Sequence, residues 1–121
     1  MTRPLRINYP GAFYHVTSQG NERKDVYKRK RDREKFFEYL DSATQRYDAV
    51  IHAFCLMNNH YHLLIETPSG NLPQIMRYIN GAYTTYFNVK RARSGHLFQG
   101  RYKAILIEID EYAKELSRYI R

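Results

Sequence analysis

Apolar residues recur along the chain in two rhythms, and the places where one rhythm gives way to the other mark out the elements. From Ala12 to Ser18, β-branched and aromatic residues dominate up to Gln19-Gly20-Asn21, which predicts a strand closed by a turn. From Asp32 onward, Phe36, Phe37, Leu40, Thr44 and Tyr47 fall at helical spacing, predicting a helix with one core face and Asp32 as its N-cap. Two strand-like runs, Ala49 to Met57 and Asn59 to Glu66, are split by Asn58-Asn59, residues that tolerate the left-handed turn of a tight hairpin. A second helix begins near Asn71 with Pro73 in its first turn and carries Leu72, Ile75, Met76, Ile79, Tyr83, Tyr86 and Phe87 along one stripe. Gly81 inside it costs about 1 kcal/mol relative to alanine. Lys90, Arg91 and Arg93 end that helix in a basic cluster that complements its C-terminal dipole. After a loop at Ser94 to Gly100, a strand spans Arg101 to Ile109, and Asp110 is placed to cap a last helix bearing Tyr112, Leu116 and Tyr119.

The order is βαββαβ followed by a helix. It predicts an α+β, ferredoxin-like antiparallel sheet with two helices on one face, the other face open, and a C-terminal tyrosine-bearing helix. With no linker, repeat or low-complexity stretch, residues 1–121 are expected to form a single domain. On the strand after Asn58-Asn59, alternation sends Tyr61, Leu63 and Ile65 to one face and His60, His62 and Leu64 to the other. The apolar set belongs under the helices, so the two histidines face outward.

Composition changes this picture chiefly through charge. The 121 residues carry a net charge of +8, with 12 Tyr and no Trp. The stretch Arg23 to Lys35 holds eight Lys or Arg, which Asp25, Asp32 and Glu34 cannot neutralise. Cations meet phosphates and rings stack on unpaired bases, so the balance favours a nucleic-acid partner over an inert basic surface. The single cysteine, Cys55, cannot form an internal bridge, and a reducing, cytosolic setting is expected; placed in an apolar run, it reads as inert packing. No run of about 18 apolar residues is present, so no membrane span is expected, and the basic start leads into no apolar segment of a secretory signal.

Residues two apart on one strand face lie roughly 7 Å apart by strand rise, close enough to converge on one cation. His60 and His62 are therefore candidate metal ligands, each needing a partner for its second ring nitrogen. His15, His52 and His96 read as solvating histidines, and Glu66, on the same face, as a surface carboxylate. A metal beside a basic, aromatic-rich surface points to phosphoryl chemistry. The serines lack an evident base, which leaves tyrosine as the candidate nucleophile. Tyr112 and Tyr119, seven apart, share a helical face, and spacing does not choose between them.

The segment Met57-Asn58-Asn59-His60-Tyr61-His62-Leu63-Leu64 resembles the HUH motif, histidine-hydrophobic-histidine, of single-tyrosine transposases. Tyr14-His15-Val16-Thr17, Gly95-His96-Leu97-Phe98-Gln99-Gly100-Arg101-Tyr102 and Ser117-Arg118-Tyr119-Ile120 extend the resemblance over nearly the whole chain. Together they look like the branch associated with repetitive extragenic palindromes, related to small bacterial insertion-sequence transposases. The resemblance implies that His60 and His62 hold Mg²⁺ or Mn²⁺ and that Tyr119 attacks single-stranded DNA next to a hairpin, leaving a 5′-phosphotyrosine and a free 3′-hydroxyl. It also implies a bacterial, nucleoid-associated setting. Arg23, Lys28, Arg29, Arg101 and Lys103 are the candidate DNA-binding cations. Members of that family continue past the tyrosine through an Asn-Pro element whose Asn supplies a third metal ligand, whereas Arg121 follows Tyr119 by two residues. The expectation is therefore intact DNA binding with weakened metal affinity and poor cleavage, in a monomer rather than a homodimer. Two other readings compete: a non-catalytic single-strand-binding module on the same scaffold, and a metal phosphodiesterase that uses water and leaves no protein adduct.

Overall fold

Alternation in the first strand is strict. The structure, a computed structural model, describes residues 8–107. Strand β1, Ala12–Gln19, buries Ala12, Tyr14, Val16 and Ser18 and leaves Phe13, His15, Thr17 and Gln19 half-buried on the other face. Helix α1, Lys30–Tyr47, is followed by the hairpin of β2, Val50–Met57, and β3, His60–Thr67. Helix α2, Leu72–Lys90, leads to β4, Lys103–Ile107. The sheet has the order β2-β3-β1-β4, and every neighbouring pair is antiparallel, as the βαββαβ reading requires. The tyrosine-bearing helix expected after Asp110 lies outside the described residues.

The core sits between the helices and one face of the sheet. Phe36, Leu40 and Ala43 of α1 and Leu72, Ile75, Met76, Ile79, Tyr83 and Phe87 of α2 are buried, meeting Tyr14, Val16, Tyr61, Leu63 and Ile65 from the strands. Each large apolar side chain taken fully out of water contributes about 1.5–3 kcal/mol. Helix α2 runs through Gly81 unbroken. Tyr61 and Tyr83 fill the core with their hydroxyls partnered: Tyr61 donates to Asn80, which donates to Ser18, and Tyr83 donates to the Val26 carbonyl.

Several expectations are corrected. Asp32 is not the N-cap of α1; that position is Arg29, and Asp32, the third helical residue, accepts hydrogen bonds from the Lys28 and Arg29 amides at 2.9 and 3.1 Å. Its carboxylate is wholly buried and also meets Arg91 at 2.6 Å, Tyr86 at 2.9 Å and Lys90 at 3.5 Å, so it joins the start of α1 to the end of α2. Neither Asn58 nor Asn59 is left-handed; positive φ falls instead on Glu22, Arg23, Asp48 and Ala92. Phe37 turns from the core to meet Phe54 edge to face at the β2 edge, where β2 is largely exposed. Cys55, opposite His62 in the ladder, is exposed, because it shares that histidine's open face of the sheet. The last strand begins at Lys103 rather than Arg101, since Arg101 and Tyr102 still belong to the preceding loop.

Burial alone would raise the Asp32 pKa, but hydrogen bonds from Arg91, the Lys28 and Arg29 amides and Tyr86 outweigh it and hold the group at about 2. The unfolded chain titrates near 3.9. Stability from this carboxylate is thus complete above about pH 4 and is lost as pH falls towards 2. Asp32→Asn is expected to flatten this part of the pH–stability curve, and Asp32→Ala to cost about 3 kcal/mol by stranding Arg91. Urea unfolding of the three proteins between pH 2 and 7 checks both.

Candidate functional site

The same alternation that buries Tyr61 and Leu63 carries His60 and His62 to the open face, where their rings meet edge to face with centroids 5.0 Å apart. The Asn58-Asn59 turn delivers them. The Asn58 carbonyl accepts from the Val26 and Tyr27 amides, its side chain accepts from Arg33 at 2.8 Å, and the Asn59 carbonyl accepts from Gly20 at 2.7 Å. These asparagines serve as hydrogen-bonding hubs, which is why the turn needs no left-handed residue.

The second nitrogens of both rings are partnered. Asn59 directs its NH₂ to the Arg23 carbonyl, so its oxygen faces His60 Nδ1 at 2.8 Å, and that nitrogen carries the proton. His62 Nδ1 lies 3.1 Å from Thr17 Oγ1 and 3.0 Å from His15 Nε2. A proton there is donated to either neighbour and leaves Nε2 with its lone pair. Burial, then the proximity of His15 and His60, lowers the His62 pKa and favours the neutral ring that metals require. Both Nε2 atoms are without hydrogen-bond partners among the described residues. This is the arrangement in which an outer partner fixes the tautomer of a ligating histidine. Among the described residues no third imidazole, thiol or carboxylate completes a cluster with them. The pair fits a divalent cation whose remaining positions are taken by water and phosphate oxygens.

His15 was expected to be a bystander and is instead stacked on His62, with ring centroids 5.1 Å apart. Alternation in β1 was the signal that could have found it, since His15, Thr17 and Gln19 oppose the buried Tyr14, Val16 and Ser18. The bland reading holds better elsewhere. His52, at a bulge in β2, pairs with Glu66 at 2.9 Å and stacks on Phe13, and His96 is exposed.

The five candidate cations separate. Arg101 and Lys103 border a groove of about 270 Å³ beside the histidines, shared with Thr17, Gln19 and Gln99. Lys28 lines a second cavity of about 200 Å³, together with Lys24, Arg93 and Phe87. Arg23 and Arg29 are exposed, in the 3₁₀ turn Asn21–Arg23 and at the start of α1, and line neither. Lys90 and Arg91 are engaged by Asp32. Tyr119 lies outside the described residues. Of the other tyrosines, Tyr27, Tyr61 and Tyr83 have hydroxyls driven far up by burial and remain protonated.

A sequence profile of the family described as transposase IS200 like matches residues 8–121. No curated protein sequence matches the chain. The fold is shared with a REP-associated tyrosine transposase solved bound to a REP hairpin, at a TM-score of 0.71 and 16% identity, covering 95% of this chain and 68% of that one. It is shared also with a candidate transposase of Deinococcus radiodurans, at 0.65 and 17%, covering 98% and 95%.

Gly20 binds the parts of this site together, because a side chain there would overlap the Lys24 carbonyl oxygen and crowd Val26 and the Asn59 carbonyl. Gly20→Ala is expected to cost about 1–3 kcal/mol, as overpacking does. It should also shift the amide resonances of Asn59 and His60 in a ¹⁵N correlation spectrum. Unmoved resonances would break the proposed link between Gly20 and the turn.

Proposed function

Because the chain belongs to the IS200-like transposase family, we propose that it cuts and rejoins single-stranded DNA beside a hairpin or palindrome, with Tyr119 as nucleophile and His60 and His62 holding Mg²⁺ or Mn²⁺. The observation that carries this reading is the histidine pair on the open face, with both Nδ1 atoms hydrogen-bonded and both Nε2 atoms without a hydrogen-bond partner among the described residues. A solvating pair has no need of such fixing.

The Tyr119 phenolate oxygen bonds to phosphorus, the P–O3′ bond breaks, and the 3′-oxygen leaves and takes up a proton. The 5′-phosphate stays on Tyr119. Attack by a 3′-hydroxyl reverses the step, and because one phosphoester replaces another, rejoining needs no nucleotide cofactor. A divalent ion, when bound, offsets the charge that grows on the non-bridging oxygens and favours ionisation of a phenol whose ordinary pKa is about 10. The chain's own part is to hold and orient. Asn59, Thr17 and His15 keep the two ligating rings in place, Arg101 and Lys103 draw the strand's phosphates towards them, and Arg23, Lys28 and Arg29 hold flanking DNA. Positioning of this kind is most of what a phosphoryl-transfer site supplies.

The deciding experiment incubates 3′-end-labelled hairpin DNA with Mn²⁺ and looks for label on the protein in a denaturing gel. An adduct is expected from the natural chain and from neither Tyr119→Phe nor His60→Ala. An adduct that survives Tyr119→Phe overturns the choice of nucleophile, and cleavage without an adduct points to attack by water. Binding with neither cleavage nor adduct, in a chain extended past Arg121 as well, returns the chain to the single-strand-binding reading.

Removing the partner of a ligating histidine typically costs 10- to 100-fold in metal affinity. Asn59→Ala is accordingly expected to weaken Mn²⁺ binding about 10-fold in calorimetric titration, and His60→Ala to abolish it.

A further inference from the structure

The groove beside the histidines holds more than cations. Its wall is formed by the end of β1 and the segment before β4, and these are locked together. Gln99 donates its amide to the Gln19 carbonyl at 2.7 Å, Asn21 donates to Leu97 at 2.8 Å, and Gly20 bridges Phe98. Leu97 and Phe98 are buried, with Phe98 edge-on to Tyr61. Gln19 and Gln99 are thereby fixed as neighbours on a rigid backbone, and both side chains border the groove. Neither carboxamide has a hydrogen-bond partner among the described residues, and neither Arg101 nor Lys103 has a carboxylate partner among them.

Register places this groove against the metal site. In the β1–β3 ladder Gln19 stands opposite His60 and Thr17 opposite His62, while Lys103 stands opposite Thr17 on the other side. A volume of about 270 Å³ falls just under the roughly 300 Å³ at which pockets for whole small molecules begin. Its lining offers cations that suit a phosphate, Arg101 and Lys103, and carboxamides that suit a base, Gln19 and Gln99.

Resting on the function proposed above, we infer that Gln19 and Gln99 read one unpaired base of the DNA strand that reaches the histidines, and that they select adenine. A carboxamide presents one donor and one acceptor in a plane, the complement of the adenine N6 amino group and N7. The cations contribute equally to every sequence, so discrimination falls to the amides. Because their backbone is preorganised, little ordering cost is set against the contact.

Fluorescence anisotropy at fixed salt, with labelled oligo(dA), oligo(dC) and oligo(dT), tests this. The natural chain is expected to bind oligo(dA) roughly 10-fold more tightly than oligo(dT), the scale of one bidentate base contact. The double variant Gln19→Ala/Gln99→Ala should erase that ratio by weakening oligo(dA) alone. Gln99→Glu should move the preference towards oligo(dC), whose N4 amino group donates to a carboxylate. Lys103→Ala should weaken all three alike and lower the salt dependence by about one phosphate contact. Equal binding of all three oligonucleotides by the natural chain, or a ratio that survives the double variant, overturns the inference. A Tyr119 adduct together with a glutamine-independent ratio sinks base reading and leaves the proposed function standing. A glutamine-dependent ratio with no adduct does the reverse, and no binding to any of the three homopolymers overturns base reading while the hairpin assay still decides the proposed function. Gln99 is exposed, so its replacement leaves the core untouched.

Discussion

A buried carboxylate governs this structure. Asp32 has no contact with solvent, yet it sits where the first turn of α1 meets the last turn of α2, and five donors converge on it. A charge removed from water is costly unless it is fully partnered, and partnering only one helix would not suffice. The two helices are therefore held at one relative position along the sheet. Their apolar stripes explain why they cover the sheet, but an apolar contact is non-directional and permits sliding. The directional set of bonds at Asp32 removes that freedom. Once the helices are placed, β1 and β3 have one covered face, and everything unlike the core is left on the other.

The clamp also sorts the cations. By composition, Lys90 and Arg91 are indistinguishable from the phosphate-binding candidates, but Asp32 draws them inward, and Arg91 lies over the Phe87 ring at 4.2 Å. The positive charge left near the histidines comes from Arg101 and Lys103. A basic balance thus predicts a polyanionic partner, while the structure decides which cations can meet it.

Where periodicity alone set the outcome, the fold was legible. Strict alternation in β1 and β3 and the stripe on α2 placed the core, the open face and the pair His60 and His62. What escaped was whatever depended on contacts between elements. His15 stands 47 positions from His62, and only the β1–β3 register brings them together. Asp32 read as a cap because a local rule explains an acid at a helix start, whereas its partner Arg91 lies 59 positions away. Cys55 read as packing because an apolar run looks the same on a covered face and on an open one. Gln19 and Gln99 carry no signal singly; their meaning comes from the two backbone crossings that make them neighbours. The resemblance to single-tyrosine transposases reached the family by an ordered set of short motifs, read without reference to the core.

Glu66 shares the open face with His60 and His62 but lies four residues beyond His62, where it pairs with His52 at the β2 bulge. Among the described residues no carboxylate joins the imidazoles. A carboxylate there would strengthen the hold on a divalent ion, but it would also place a negative charge beside the phosphate that must approach. On the proposed function, imidazoles in their neutral form would avoid that repulsion. They would hold an ion weakly by themselves and well when phosphate oxygens complete its shell, so that metal and strand would favour each other's binding. At His62 the same packing favours the neutral form: burial, then His15 stacked on it and His60 edge-on to it, disfavour a positive charge there. Such a cluster would trade resting affinity for coupling. Under the proposed function, the chain would gain from a site that assembles only when its polyanionic partner arrives.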